Sequence, residues 1–205
     1  RGTVNLKDVA VHEVGHLLGL EHTPLDGPAS SRPTMNPFNR GDGPGFGQTL
    51  EADDIAGVCF LYPSPEYALS VGSISGTVSD LKGDGLFGVH VVAQNTETQT
   101  QISTVSGAYD GQGGLYRIEG LPPGPYRVQM TPVEGSINAD NFGGIFSEFA
   151  TDFIPEFYDN SRVDNTAQTI EVQAGQTVRK IDFTTGFIRP GFPSVELSGL
   201  AANTP

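Results

Sequence analysis

His12-Glu13-Val14-Gly15-His16-Leu17-Leu18-Gly19-Leu20-Glu21-His22 is the stretch from which the chain is best read. On a helix, residues four apart share a face, so His12 and His16 stack their imidazoles about 6 Å apart at Cβ. Gly19 tolerates positive φ without a Cβ penalty, so the chain can turn there and bring His22 back toward the same point. Three nitrogens leave one tetrahedral position open for water, the pattern of a catalytic rather than a structural zinc. Glu13 lies about 100° around the helix from His12 and suits a general base beside that open position. Zinc would lower the pKa of its water toward ~7, and Glu13 would take the proton as the water attacks a carbonyl. The plainer alternative is a surface helix with two satisfied histidines. Three of the chain's four histidines fall in this eleven-residue run, which weighs against it.

The flanking sequence reads as two helices around a long loop. Asn5 is a candidate N-cap, with Asp8 as a carboxylate version of the capping-box partner. Val11, Val14 and Leu18, widened by Ala10 and Leu17, form the expected apolar face, and Gly19 is the stop. Residues 23–49 are rich in Pro, Gly, Ser and Asp, which is loop chemistry. A second helix is expected from about Glu51 to Leu61, with Ile55, Val58, Cys59 and Tyr62 on its apolar side. Pro63-Ser64-Pro65 ends it and opens a linker over 64–71.

The His-Glu-x-x-His-x-x-Gly-x-x-His run resembles the metzincin signature, and Met35 in Thr34-Met35-Asn36-Pro37 resembles its Met-turn. Thr23, after the third histidine, is nearest to the Ser usual in matrixins. Leu50-Glu51-Ala52-Asp53-Asp54-Ile55-Ala56-Gly57-Val58-Cys59-Phe60-Leu61-Tyr62 matches the helix that follows the matrixin Met-turn. The resemblance implies that residues 1–63 are the helical C-terminal part of a matrixin-like zinc metallopeptidase domain, truncated before its N-terminal sheet. It implies one catalytic Zn2+ on His12, His16 and His22, Glu13 as base, Met35 as a hydrophobic floor and Pro37 as a substrate-pocket wall. One of Asp53 and Asp54 is expected to brace the Met-turn; the other reading is a pair of solvated carboxylates favouring the helix dipole. Asn39 stands where a Tyr is common in the family, so pocket specificity does not carry over. Cys59 reads as a buried structural thiol.

From Ser73 the period changes to two. Strands are expected at Ser73–Ser79, Val89–Gln94, Thr98–Val105, Gly114–Glu119, Pro125–Thr131, Gln168–Gln173 and Thr177–Thr184. Seven short strands suggest an antiparallel sandwich. Gly120-Leu121-Pro122-Pro123-Gly124-Pro125-Tyr126-Arg127-Val128 resembles the turn and strand of carboxypeptidase-regulatory-like and Cna-B-type sandwiches. The resemblance covers about residues 72–186 and implies a transthyretin/prealbumin-like fold with an insert at 135–166. No Lys falls in the first strand, and Lys82 sits in a turn, so no internal isopeptide bond is expected. Phe142, Phe146, Phe149, Phe153, Phe157 and Tyr158 in the insert read mainly as core-completing rings, with an aromatic binding platform as the alternative. Asp80, Asp84 and Asp110 could bind calcium, although turn aspartates more often cap backbone groups. Residues 187–205 read as a linker or disordered tail. The fold class expected is therefore α+β multidomain.

Among 205 residues there are 27 glycines and 15 prolines, and the formal charge is −13. That acidity excludes a nucleic-acid binder and an anionic-membrane docking surface. No apolar run approaches the ~20 residues that span a bilayer. One cysteine excludes an intrachain disulfide. The sequence opens on Arg1, without a starting Met, which reads as a fragment or processed product. The function expected is a zinc-dependent metalloendopeptidase acting on a protein or peptide substrate, secreted and extracellular by resemblance. The acidity and near-absence of cysteine are compatible with a bacterial source. The alternative is a non-enzymatic extracellular protein whose sandwich binds a matrix or cell-surface polymer.

Overall fold

The computed structural model describes residues 5–27, 32–38, 47–107, 113–134, 137–142 and 149–186. The expectations for Asn39 and the rest of the 39–46 loop, for Asp110, for Phe146 and for the 187–205 tail lie outside these residues.

Helix α1 spans Leu6–Leu17. Asn5 caps it, its side chain accepting from the Lys7 amide at 3.0 Å. Asp8 is not a capping-box partner. It is buried and accepts from Gln48 Nε2 at 2.9 Å, which ties the helix to the far end of the loop. At the other end Gly19 has φ 95°. Its amide donates to His16 O at 2.9 Å and the Leu20 amide to Gly15 O at 3.0 Å. That is the Schellman pattern, and it satisfies carbonyls that the helix leaves open.

Helix α2 spans Ala52–Leu61, and its N-terminal Glu51 amide donates to Asp54 Oδ2 at 3.0 Å. A third helix, α3, covers Pro65–Ser70 where a linker was expected. Ser64 Oγ accepts from the Tyr67 amide, and Pro65 at the first helical position forgoes a donor that had no partner.

Both apolar faces differ from expectation. Of the α1 set, Leu17 is 84% exposed, and Ala10, Val14 and Leu18 are exposed too. The covered side carries Asp8 and Gly15, because that side meets Gly47 and Met35. On α2 the buried positions are Asp54 and Ala56, whereas Ile55 and Tyr62 are exposed and Val58 and Cys59 half-buried. Small residues face the sandwich there, since a Cβ on Gly120 would lie 2.7 Å from Ala56 Cβ.

Among the described residues the rest is a two-sheet sandwich of nine strands: β1 Gly72–Ser79, β2 His90–Asn95, β3 Gln101–Val105, β4 Leu115–Leu121, β5 Gly124–Thr131, β6 Glu156–Phe157, β7 Ile170–Val172, β8 Thr177–Val178 and β9 Phe183–Thr184. One sheet runs β4-β1-β8, with β9 also on β1; the other runs β3-β2-β5-β6, with β7 also on β5. The expected seven antiparallel strands are thus corrected in two ways. Lys180, at φ 65°, splits Thr177–Thr184 into two strands, and both pair parallel to β1. The insert adds β6 at the edge of β5. Strand β3 also starts later than expected, because Asn95 Oδ1 accepts from the Glu97 and Thr98 amides and folds that stretch into a turn.

The Leu121-Pro122-Pro123-Gly124 corner carries the chain from one sheet to the other. Ile74, Val78 and Ile118 from the first sheet meet Val91, Val128 and Met130 from the second in one buried cluster. A second cluster, Val105, Val133, Ile137 and Phe142, lies under the insert. Phe149 packs on this second cluster, and Phe153 and Tyr158 on the first, so these rings serve as core. Helix α2 packs on β3 and β4, and Ala56 joins the first cluster. No helix among the described residues is long and apolar enough to cross a membrane.

Candidate metal centre

Among the described residues, His12, His16 and His22 are the one group of three or more potential metal ligands. Helix α1 supplies the first two, and the Gly19 turn returns the third. His22 Nε2 lies 3.2 Å from both His12 Nε2 and His16 Nε2. Each ring is held from behind. Nδ1 of His12 meets Thr34 O at 2.7 Å, Nδ1 of His16 meets Leu20 O at 2.8 Å and Nδ1 of His22 meets Asn141 O at 2.7 Å. A carbonyl oxygen only accepts, so every Nδ1 carries a proton and donates it. Burial lowers the His22 pKa, outweighing the Asn141 carbonyl, and His16 and His12 lower it further. The neutral ring therefore presents its Nε2 lone pair.

Three imidazole nitrogens that face one region form a ready set of ligands for a cation. Tetrahedral zinc with Zn–N of about 2.0–2.1 Å requires N···N separations of about 3.3–3.4 Å. The 3.2 Å separations about His22 Nε2, three imidazole donors and carbonyl anchors fit a zinc ion of that kind.

The Thr34–Pro37 bend lies directly under α1. Met35 is 3% exposed, and a Cβ on Gly15 would collide with its Sδ. Gly15 is thus a position that motif reading passes over as a spacer. A glycine inside a helix costs about 1 kcal/mol relative to Ala, so its presence between two ligands was a usable signal. The bend is held by one carboxylate. Asp54 Oδ2 accepts from the Thr34 amide at 2.8 Å, and Oδ1 from the Met35 amide at 3.0 Å. Asn36 Nδ2 adds a bond to Leu25 O, and Thr34 Oγ1 one to Thr49 O. Pro37 follows, half-buried, and Phe38 reaches the cluster under the insert.

Asp53 does something else. Its Oδ1 accepts from the Ser103 amide of β3 at 2.7 Å, joining α2 to the sandwich. Desolvation raises its pKa to about 6 against the lowering pull of Thr23 and Ser103. Glu13 is exposed on α1 and makes no hydrogen bond or ion pair among the described residues. Asp80 Oδ1 accepts from the Lys82 and Asp84 amides, a turn-capping use of that side chain. A cavity of about 560 Å³ separates the metal-site loop from the sandwich, with His22, Met35, Asp53, Phe60, Val105 and Phe142 among its walls.

Residues 1–63 match the family model described as Matrixin, and residues 73–137 match that of the carboxypeptidase regulatory-like domain. Over 79 residues the chain is 37% identical to Metalloendoproteinase 4-MMP of Arabidopsis thaliana, a match covering 38% of this chain and 21% of that protein. The chain thus spans about a fifth of the curated relative it matches. A solved structure titled the Bacillus anthracis TIE protein aligns with 57% of this chain and 16% of its own, at 17% identity and a TM-score of 0.35. In order along the sequence, the chain therefore carries a stretch similar to matrixins and a stretch similar to carboxypeptidase regulatory-like domains.

Proposed function

We propose that this protein is a zinc-dependent metalloendopeptidase. The observation that carries the reading is the convergence of three imidazole Nε2 atoms, each ring fixed by a backbone carbonyl at its Nδ1. The Matrixin match and the plant metalloendoproteinase relative support the same class.

His12, His16 and His22 would hold the ion, and Met35 underlies them. Bound there, zinc would supply Lewis-acid polarisation of a peptide carbonyl and a lowered pKa for water. Glu13 follows His12 on the exposed side of α1, where substrate has access. Its carboxylate accepts a proton from the attacking water and returns it to the departing amine nitrogen. Pro37, past the Met35 bend, walls the pocket for the substrate residue beyond the scissile bond. The same reading makes the protein a secreted one with a protein or peptide substrate.

The test is metal analysis paired with one variant. Purified protein should carry one zinc per chain. Glu13→Ala should keep the zinc and lose peptide hydrolysis by about 10²–10⁴-fold, the usual contribution of a general base. Stoichiometric zinc missing from the wild type, or hydrolysis unaffected in Glu13→Ala, refutes the reading.

A further inference from the structure

Two of the three histidines are anchored from within the helical region. Thr34 lies in the bend beneath α1, and Leu20 only four residues from His16. The third anchor comes from far along the chain, in the sandwich. Asn141, 119 residues beyond His22, belongs to the insert of the sandwich. We infer that the 137–142 turn of the sandwich is a positioning element of the metal centre, its Asn141 carbonyl fixing the tautomer and orientation of the His22 ring. This inference rests on the metal reading above.

His22 needs such help more than its partners do. His12 and His16 stand on a helix that restricts their rotamers. His22 follows the Gly19 turn in an extended loop, where its broad terminal torsion is set by what the ring touches.

The turn is built to hold the carbonyl in place. Residues Ala139–Asn141 form one turn of 3-10 helix. The Asn138 amide donates to Asn141 Oδ1 at 3.1 Å, and the Asp140 amide to Asn138 Oδ1 at 3.0 Å. Ile137 and Phe142, buried at either end, sink the turn into the cluster with Val105 and Val133. Phe38, three residues past Met35, packs on the same cluster. One apolar cluster therefore supports the carbonyl behind His22 and meets the chain just past the Met35 bend. The Asp53–Ser103 bond fixes the same two parts a short way off.

Partners behind a metal-bound histidine typically cost 10–100-fold in metal affinity when removed. A backbone carbonyl cannot be deleted by substitution, so the variants loosen its mounting. Asn141→Ala removes the Oδ1 that caps the turn, and Phe142→Ala removes its buried anchor. Zinc affinity is read by competition with a chromogenic chelator, and ring state by ¹⁵N NMR of the imidazoles with zinc bound. Both variants should bind zinc about tenfold or more weakly. Their His22 Nδ1–H signal should exchange with water faster than in the wild type. Val172→Ala is the control, since Val172 lies in the main core and its loss weakens the sandwich without touching the turn. It should leave zinc affinity unchanged. Wild-type affinity in both Asn141→Ala and Phe142→Ala overturns the inference. Equal weakening by Val172→Ala also overturns it, because the effect would then be general stability. A wild-type chain that binds no zinc overturns the metal reading itself, and that result needs no variant.

Discussion

Replacing Asp54 should show how much of the metal site depends on one buried carboxylate. Asp54 is 2% exposed and accepts three backbone N–H groups, those of Thr34, Met35 and Glu51, at 2.8, 3.0 and 3.0 Å. In Asp54→Ala the Thr34 and Met35 amides are left buried without an acceptor, at about 1–3 kcal/mol each. The Glu51 amide is only part-buried, so water can replace its bond at small cost. Removing a desolvated carboxylate returns some of the loss, which leaves a net destabilisation of about 3 kcal/mol. Asp54→Asn separates the contributions. Its single oxygen can keep Thr34 and Glu51, while its amide nitrogen then faces the Met35 N–H, one donor against another. That costs about 2 kcal/mol and is aimed at the bend itself. Urea unfolding followed by circular dichroism gives the stability, and chelator competition gives the zinc affinity. Both variants should lose stability in the order Ala, then Asn, and both should bind zinc more weakly because Met35 and Thr34 O shift together. An Asp54→Ala protein within about 0.5 kcal/mol of wild type would refute the assignment of the Met35 bend to this side chain.

His90 is buried and neutral in β2, and burial lowers its pKa to about 3. A depressed pKa means the stability is present above 6.5 and is lost as pH falls toward 3. It should amount to roughly 3 kcal/mol by pH 4 and be absent in His90→Gln, as read by urea unfolding across pH. Asp53 has the opposite sign. Its pKa is raised to about 6, so its contribution is full below 3.8 and lost as pH rises through 6. Asp53→Asn, which keeps an oxygen for the Ser103 amide, should therefore match or exceed wild-type stability at pH 7.5, with the gap closing below pH 4. Gly19→Ala should cost about 1–2 kcal/mol, since φ 95° suits a residue without Cβ, and should weaken zinc binding by turning His22 away. Zinc should also raise the melting temperature in a concentration-dependent way, as any ligand of the native state does.

Helices α1 and α2 and the meeting of the three histidines were legible because each leaves a local mark. A cap, a four-residue spacing and a Gly stop all lie within a few positions of one another. What escaped reading lies across longer distances or finer angles. One of Asp53 and Asp54 was expected to brace the Met35 bend, but not which: about 100° of helix sends Asp54 to that bend and Asp53 to the sandwich. The acceptor behind His22 is a main-chain carbonyl, which any residue type could supply, so no side chain at 141 advertised it. The faces of α1 and α2 were misjudged because apolar spacing ranks positions by hydrophobicity. Here close approach favoured Gly15 and Ala56 over larger neighbours. The break between β8 and β9 turns on a positive φ at Lys180, a residue type that gives no warning of it.

The meeting of α2 with β4 has a consequence for how freely such parts can be exchanged. Gly120, at φ 73°, presses its backbone against Ala56 and Tyr67, and Ser103 and Asn141 offer main-chain groups to Asp53 and His22. A substitute sandwich of the same topology would need a glycine at that corner and an insert reaching the third histidine. These two pieces are therefore not freely portable: grafting either one alone onto a new partner should carry over its fold and lose the joint.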